Sequence, residues 1–224
     1  MQTHYPHAGH PPATRHPGLP GSGLYAITDG PRADLVPVAR AALQGGAAVL
    51  QYRDKAQGAE RRLREARALS ALCLEFAAPL IVNDDIELAG RCGAAGVHVG
   101  ADDPAIGEAR ALLGAQAIIG VSCYDSLQRA RDAAAAGADY LAFGAFFPTS
   151  TKAVTRRAIP ALLGDARELG LPLVAIGGIT PDNGGPLVAA GADFLAVVSA
   201  LFGVRNVRAA ARRFTALFES RNTQ

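Results

Sequence analysis

From residue 23 onward, short apolar runs alternate with longer amphipathic segments that are rich in Ala, Leu and Arg. Near-continuous apolar runs are typical of strands that are buried on both faces, as in a parallel sheet covered by helices. The pattern predicts eight such strands, with helices between them and strand starts about 25 residues apart. The predicted strands span residues 24–28, 48–52, 80–83, 96–99, 117–122, 140–145, 173–177 and 194–199.

A five-residue repeat indicates how these units are arranged. The sequence Ala-Ala-Gly-Ala-Asp occurs at residues 135–139 and again at 189–193. In both copies the Gly would end a helix just before the next strand, because Gly takes the left-handed conformation at low cost. The offset of 54 residues corresponds to two strand–helix units, and eight units of that length fill residues 23–219. We therefore predict an α/β fold, a single (β/α)₈ TIM barrel over residues 23–224.

A doubly wound open sheet is the alternative architecture for alternating strands and helices. That fold usually carries a Gly-rich phosphate loop directly after its first strand. Here the first strand leads into Thr28, Asp29, Gly30 and Pro31, which do not match that loop. The barrel is therefore the favoured prediction.

Residues 1–22 differ from the rest of the chain. They are rich in Pro, Gly and His and show no hydrophobic period. A segment of this composition buries little apolar surface, so we predict a disordered leader whose deletion leaves activity unchanged.

Composition and charge exclude several classes of protein. The 224 residues are 50% hydrophobic, and no apolar run approaches the ~20 residues that cross a bilayer. The formal net charge is +2 without a continuous basic stripe, so neither nucleic acid nor membrane is an expected partner. The three cysteines lack metal-site spacing, and the N-terminus lacks the apolar segment of a secretory signal. We therefore predict a cytoplasmic protein.

Polar side chains gather where the predicted strands end. In a parallel barrel all these ends share one face, here called the mouth, which carries the chemistry. The N-terminal ends instead hold Asp139 and Asp193, which we assign to stability. The polar positions of the mouth are Thr28, Asp29, residues 51–55, residues 83–85, Asp102, Asp103, Ser122, residues 149–152 and Ser199.

The charges at the mouth indicate a bound anion and a metal. Arg53, Lys55 and Lys152 are cations, whereas Asp84 and Asp103 bring carboxylates from adjacent strands. Mg²⁺ takes a few carboxylates together with phosphate oxygens and waters, so this mixture suits a diphosphate bound through Mg²⁺. Surface carboxylates paired with arginine are one alternative. A hydrolytic carboxylate pair is another, although it leaves the three cations unexplained.

A second phosphate site is indicated at the last two strands. Gly177 and Gly178 end the seventh strand, and Val198 and Ser199 end the eighth. Barrels often bind phosphate at this place, where glycines allow the backbone to approach closely. Packing or a tight turn would also explain the glycines. Two phosphate-bearing ligands in one mouth predict a transfer between two substrates.

Two other features are interpreted as structural. His98 lies inside an apolar strand, so we interpret it as a core histidine whose hydrogen bonds are satisfied. A cluster of arginines at residues 61, 62, 64 and 67 alternates with glutamates and is interpreted as a solvated helix face.

Seven segments together resemble thiamine phosphate synthase, in that family's order and over nearly all of residues 23–202. They are residues 24–29, 51–55, 81–85, 96–100 with Asp103, 120–122, 144–152 and 175–179. The resemblance implies a transferase that joins a hydroxymethylpyrimidine diphosphate to a thiazole phosphate, with Mg²⁺ and release of diphosphate. Two alternatives stay open: an isomerase like thiazole tautomerase, and a non-catalytic barrel that binds phosphate.

The resemblance also implies roles for single residues. Asp84 and Asp103 would hold Mg²⁺. Two positions depart from the family pattern: Tyr124 stands where the family often has histidine, and Ala101 where it often has glutamine. The partners would be two small phosphorylated molecules, and self-association into a homo-oligomer stays open. Contacts to the pyrimidine diphosphate would come from Gln51, Tyr52, Arg53, Asp54, Lys55, Asn83, Ser122 and Lys152. Contacts to the thiazole phosphate would come from Thr149, Ser150, Thr151, Gly178, Val198 and Ser199.

Overall fold

The computed structural model describes residues 16–100, 106–148 and 157–219. In this part of the chain, eight parallel strands form a closed barrel in the order of the sequence, which confirms the predicted fold. The strands are β1 (Gly23–Ile27), β2 (Ala47–Tyr52), β3 (Leu80–Asn83), β4 (Gly96–Val99), β5 (Ile118–Tyr124), β6 (Tyr140–Gly144), β7 (Leu173–Ile176) and β8 (Phe194–Val197). The helices are α1 (Leu35–Gln44), α2 (Ala59–Glu75), α3 (Ile86–Cys92), α4 (Ile106–Leu113), α5 (Leu127–Ala135), α6 (Ala161–Ala166), α7 (Gly185–Ala189), α8 (Ser199–Phe202) and α9 (Val207–Glu219).

The barrel closes between β1 and β8, where Gly23 pairs with Phe194. Side chains alternate along each strand between the inside of the barrel and the helix layer. On β1, Tyr25 joins the inner cluster of buried residues, whereas Leu24 joins the outer cluster that the helices cover. This alternation decides which side chains near a strand end can reach the mouth.

The outer layer is built by amphipathic helices, of which α9 is a clear example. Val207, Ala211, Phe214 and Phe218 recur on one face of this helix and are all buried. The apolar face packs against the barrel beside α1 and covers the closure between the first and last strands. In the described ranges, no helix combines the length and apolar character needed to cross a membrane.

Both copies of the five-residue repeat have the predicted geometry. Gly137 and Gly191 have φ angles of 93° and 115°, in the left-handed region where Gly ends a helix without strain. The Asp139 carboxylate accepts a hydrogen bond from the Ile119 N–H at 2.8 Å at the start of β5. Asp193 accepts one from a main-chain N–H at the start of β7. Both carboxylates therefore lie at the end of the barrel opposite the mouth, as predicted.

The part of the leader next to the barrel is packed. Leu19 is 8% exposed and lies in the inner cluster with Tyr25, Val49, Tyr140 and Phe194, near the N-terminal ends of the strands. Residues 16–22 therefore cover the end of the barrel opposite the mouth. The predicted disorder does not hold for residues 16–22, because an apolar side chain meets the open end of an apolar interior. Residues 1–15 lie outside the described residues.

Leu19→Ala is expected to lower the free energy of unfolding by about 2 kcal/mol, the lower end of the range for a buried Leu→Ala change. Leu74→Ala is the matched control, since Leu74 is 81% exposed on α2 and should change the free energy by less than about 0.5 kcal/mol. Denaturant titration measures both variants. Equal stabilities of the two variants would show that Leu19 does not seal the barrel.

Candidate active site

The ends of β2 and β3 bring a predicted cation and a predicted carboxylate together. Lys55 Nζ lies 3.3 Å from Asp84 Oδ2. The two side chains keep 65% and 34% of their surface exposed, and ion pairs of this kind add little to stability. Both groups are therefore open to a ligand at the mouth.

A cleft of about 590 Å³ opens beside this pair, between the β2 and β3 ends and α4. This β2–β3 cleft is of the size that binds small molecules, which is about 300–1,000 Å³. Its lining is mostly charged or polar and includes Lys55, Arg62, Asn83, Asp84, Asp85, Glu87 and Glu108. A cleft with both cations and carboxylates suits a polyanion that binds together with a metal.

The adjacent residues Asp84 and Asp85 have different structural roles. Asp84 has a φ of 64°, a left-handed conformation that Asp adopts more readily than most residues, and its N–H donates to the His98 carbonyl at 2.9 Å. Asp85 caps α3 by accepting from the Leu88 N–H at 2.8 Å, and it also forms an ion pair with Arg62 at 3.0 Å. Asp84 is thus the carboxylate of this pair that stays available to a ligand.

The loop after β2 is anchored to the barrel by buried hydrogen bonds. The Thr28 hydroxyl accepts from the Arg53 N–H at 2.8 Å and donates to the Arg53 carbonyl at 3.1 Å. Thr28 is 1% exposed, so these two bonds are shielded from water. They fix the point at which the Arg53 side chain leaves the barrel.

Asp54 and Tyr52 support this loop, and Asp54 also borders the cleft. The Asp54 carboxylate accepts from the Ala56 N–H at 2.7 Å and pairs with Arg61 at 2.6 Å. Burial alone would raise the pKa of Asp54, but these hydrogen bonds and the Arg61 charge lower it overall. Tyr52 points outward and donates to Glu65 on α2 at 2.6 Å. The structure therefore does not bring the Tyr52 side chain to the mouth, because alternation along β2 turns it toward the helix.

The arginine cluster on α2 is more than a solvated face. Arg61 pairs with Asp54 under the β2 loop, and Arg62 pairs with Asp85 at the cleft. Arg62 thus belongs to the wall of the cleft, and Arg61 supports the loop beside it. The spacing along α2 gave no signal for this, since their partners come from other elements.

Two predicted residues lie one layer deeper, inside the barrel. Gln51 is 2% exposed and donates through Nε2 to the Tyr25 hydroxyl at 2.8 Å. Ser122 Oγ lies 2.9 Å from His98 Nε2. His98 is a buried histidine with both ring nitrogens hydrogen-bonded, as interpreted from the sequence, but it also contacts a predicted site residue. Sequence reasoning missed Tyr25 and Tyr140, which connect these side chains.

The end of β7 approaches the end of β6. Gly178 has a φ of 65°, and a Cβ at this position would collide with Phe147 and with the Pro148 carbonyl. Asn183 holds the same turn by donating to the Gly178 carbonyl at 3.1 Å. The glycine therefore places the β7 end beside Pro148, directly before residue 149. Val198 and Ser199 follow β8 on the same face.

Several predicted site residues lie outside the described residues. They are Asp103, Thr149, Ser150, Thr151 and Lys152, together with Ala101. Tyr124, the other departure from the family pattern, lies at the end of β5 with the Arg129 guanidinium 5.3 Å from its ring centre. Among the residues that are described, no group of three His, Cys, Asp or Glu side chains could hold a metal ion.

Residues 24–201 match the sequence model of a family described as thiamine monophosphate synthase. The chain belongs to this family. A thiamine-phosphate synthase of Methylobacillus flagellatus is 52% identical over 92% of this chain and 99% of its own length. One of Xanthomonas campestris pv. campestris is 59% identical over 75% of this chain and 82% of its own length. A solved thiamine phosphate pyrophosphorylase from Pyrococcus furiosus superposes with a TM-score of 0.80 at 34% identity, covering 89% of this chain and 96% of the other.

In this member of the thiamine monophosphate synthase family, the described residues provide part of a site that suits Mg²⁺. Mg²⁺ is usually held by one or two protein carboxylates, with waters and substrate phosphates completing its shell. Asp84, whose carboxylate is partly exposed beside the cleft, would supply one of them. The second predicted ligand, Asp103, lies outside the described residues.

No cysteine is suited to act as a nucleophile here. Cys73, Cys92 and Cys123 are free and buried. Burial raises the pKa of Cys123 to about 12, so its thiol stays protonated at neutral pH.

Proposed function

We propose that the mouth transfers a hydroxymethylpyrimidine group from its diphosphate to a thiazole phosphate, forming thiamine phosphate and releasing diphosphate. Thiamine phosphate synthesis is the activity of the family to which the chain belongs. The observation that carries the proposal for this chain is the contact between Lys55 and Asp84 at the β2–β3 cleft. A cation and a carboxylate that both remain exposed suit a diphosphate accompanied by a divalent ion.

The first step is loss of the leaving group. The bond between the pyrimidine methylene carbon and the diphosphate oxygen breaks, and its electron pair leaves with the diphosphate. The electron-rich aminopyrimidine stabilises the cation that remains. Arg53, Lys55 and Lys152 would neutralise the departing charge, and Asp84 and Asp103 would hold Mg²⁺. When bound, Mg²⁺ would act as a Lewis acid toward the phosphate oxygens.

The second step is capture of the cation. The lone pair of the thiazole nitrogen forms the new carbon–nitrogen bond, so no proton has to be removed by a general base. The task of the protein is to align the acceptor and to exclude water from the cation. Gln51, Asn83 and Ser122 would orient the pyrimidine.

The thiazole phosphate would bind where the ends of β6, β7 and β8 meet. The close approach of Gly178 to Pro148 supports this placement, because Pro148 directly precedes Thr149, Ser150 and Thr151 in the sequence. Val198 and Ser199 would complete the site from β8. Their main-chain N–H groups and hydroxyls are donors that suit a phosphate.

The unpaired donor in the cleft wall also supports an anionic ligand. Arg62 Nε is buried and has no hydrogen-bond partner among the described residues, although the same guanidinium pairs with Asp85. A buried donor without a partner is unfavourable, so a ligand oxygen or a water is expected beside it.

The cytoplasm remains the predicted location, because all three cysteines are free.

The decisive experiment is an assay of diphosphate release by the purified full-length chain. We expect release only when the pyrimidine diphosphate, the thiazole phosphate and Mg²⁺ are all present, and we expect a chelator to abolish it. Isomerisation of the thiazole without the pyrimidine would indicate a tautomerase instead. Binding of both ligands without turnover would indicate a non-catalytic barrel, and either result would overturn the proposal.

A further inference from the structure

A connected set of hydrogen bonds crosses the inside of the barrel beneath the mouth. Gln51 Nε2 donates to the Tyr25 hydroxyl at 2.8 Å, and the Tyr25 and Tyr140 hydroxyl oxygens are 2.7 Å apart. The Tyr140 hydroxyl is 2.9 Å from His98 Nδ1, and His98 Nε2 is 2.9 Å from Ser122 Oγ. These five residues, here called the inner network, begin and end at side chains that are predicted to contact the substrate.

The middle of the network is sealed from water. Tyr25, Tyr140 and Gln51 are each no more than 2% exposed, and His98 is 8% exposed. The Tyr25 and Tyr140 rings meet edge to face, and the His98 ring stacks on Tyr140. Burial raises the pKa of both tyrosines above the ordinary value, so both hydroxyls keep their protons. Each hydroxyl therefore has one proton to donate, and leaving it unpaired in this interior is unfavourable.

The position of each proton follows from the donor at one end. Gln51 Nε2 can only donate, so the Tyr25 oxygen accepts that bond. The proton of Tyr25 then goes to Tyr140, since the reverse direction would leave it without an acceptor among the described residues. Tyr140 has accepted from Tyr25, so its own proton goes to His98 Nδ1. His98 Nδ1 is thus an acceptor, and the proton of the neutral ring lies on Nε2, facing Ser122.

A glycine on β5 provides the space that the inner network needs. Gly120 on β5 lies against the Tyr140 ring, and a Cβ at Gly120 would overlap the ring atoms. Any larger residue at position 120 would push the Tyr140 hydroxyl away from its two partners. The path of the network therefore depends on a small residue as well as on its polar members.

We propose that Tyr140 and His98 are positioning residues: the Tyr140 hydroxyl keeps His98 in the Nε2–H tautomer, and His98 thereby makes Ser122 a hydrogen-bond donor toward the mouth. Ser122 accepts from His98 Nε2, which leaves its own proton for the substrate. A donor is what an oxygen of the leaving diphosphate or a pyrimidine ring nitrogen requires. The kinetic part of this inference rests on the proposed function, whereas the tautomer does not.

The tautomer can be observed directly by NMR of the full-length chain labelled with ¹⁵N-histidine. The chain has five histidines, and the signals of His98 are identified as those that disappear in His98→Asn. Long-range ¹H–¹⁵N correlations distinguish the two tautomers, and we expect Nε2–H. Tyr140→Phe removes the donor to Nδ1 and should produce a mixture of tautomers. Tyr25→Phe leaves that donor in place and should preserve Nε2–H.

Kinetics separate positioning from packing. Tyr140→Phe should lower kcat about tenfold with little change in KM, the effect of one lost hydrogen bond. In the Ser122→Ala background the same change should have no further effect, because it acts through Ser122. Ile118→Val is the matched control, since it removes a methyl group from the same inner cluster without touching a hydrogen bond. It should leave both kcat and the tautomer unchanged.

Two outcomes would overturn the inference. One is Nδ1–H as the main tautomer of the unaltered protein. The other is an unchanged tautomer in Tyr140→Phe together with a kcat no lower than that of Ile118→Val. Thermal melting of each variant shows whether it is folded, and the tautomer of the unaltered protein still tests the inference if Tyr140→Phe is not. If the unaltered protein releases no diphosphate, the proposed function fails, but the NMR result still tests the network.

Discussion

Asp84→Asn is expected to lower the turnover rate, measured as diphosphate release, by a factor of about 10²–10³ while the fold stays intact. Asn keeps the size of the side chain and tolerates the left-handed backbone at this position, so the substitution removes mainly the charge. Ala would add backbone strain to the loss of charge. The ion pair with Lys55 is partly exposed, so its loss should change stability by less than about 1 kcal/mol.

The decrease should depend on the divalent ion if Asp84 helps to hold it. Diphosphate release is measured over a range of Mg²⁺ concentrations, and binding of Mn²⁺ in the presence of diphosphate is followed by electron paramagnetic resonance. Glu87→Gln removes a charge of the same sign from the wall of the same cleft and should stay within about twofold of the original turnover. Equal losses in both variants would mean that the general charge of the cleft matters, and not a ligand at Asp84.

Lys152→Ala is expected to reduce turnover by a similar factor, about 10²–10³, and also to fold normally. Lys152 lies outside the described residues, so the expectation rests on its position after the sixth strand and on the family pattern. Lys152→Arg keeps the charge but changes its shape and number of donors, and should restore part of the activity. Unchanged turnover in Lys152→Ala would remove this residue from the site.

Chemical labelling provides an independent test of the same residue. Lys55 and Lys152 are the two lysines of the chain, so an amine reagent modifies few side chains. If both contact the diphosphate, Mg²⁺ and diphosphate together should protect both from modification, as measured by mass spectrometry of peptides. Protection of Lys55 alone would place Lys152 away from the bound anion.

The barrel could be predicted because the sequence signals for its strands and helices lie within short segments of the chain. Each strand is a short apolar run, and several helices end at or next to a glycine, such as Gly137 or Gly191. The bounds differ from the prediction by at most two residues. β5 shows why: it extends past Ser122 to Tyr124, since Cys123 is buried on the outer side while the strand bulges there. Such an irregularity leaves no pattern in the sequence.

The site was predictable to the extent that it follows from strand ends. The positions of Lys55 and Asp84 were expected to converge, and they do. The direction of each side chain was harder to predict from the sequence. Gln51 faces the inside of the barrel and Tyr52 faces α2, because neighbouring side chains on a strand point to opposite sides. The inner network could not be foreseen, since Tyr25 and Tyr140 meet only when the barrel has closed.

The pairing of β1 with β8 has a consequence for the synthesis of the protein. Gly23 finds its partner Phe194 only after most of the chain has left the ribosome, and α9 packs against α1 later still. Until then the growing sheet has two open edges, which favour association with other nascent chains. Contacts so distant along the sequence also slow folding. Chaperones that shield strand edges should therefore raise the yield of this protein more than changes that stabilise its finished core.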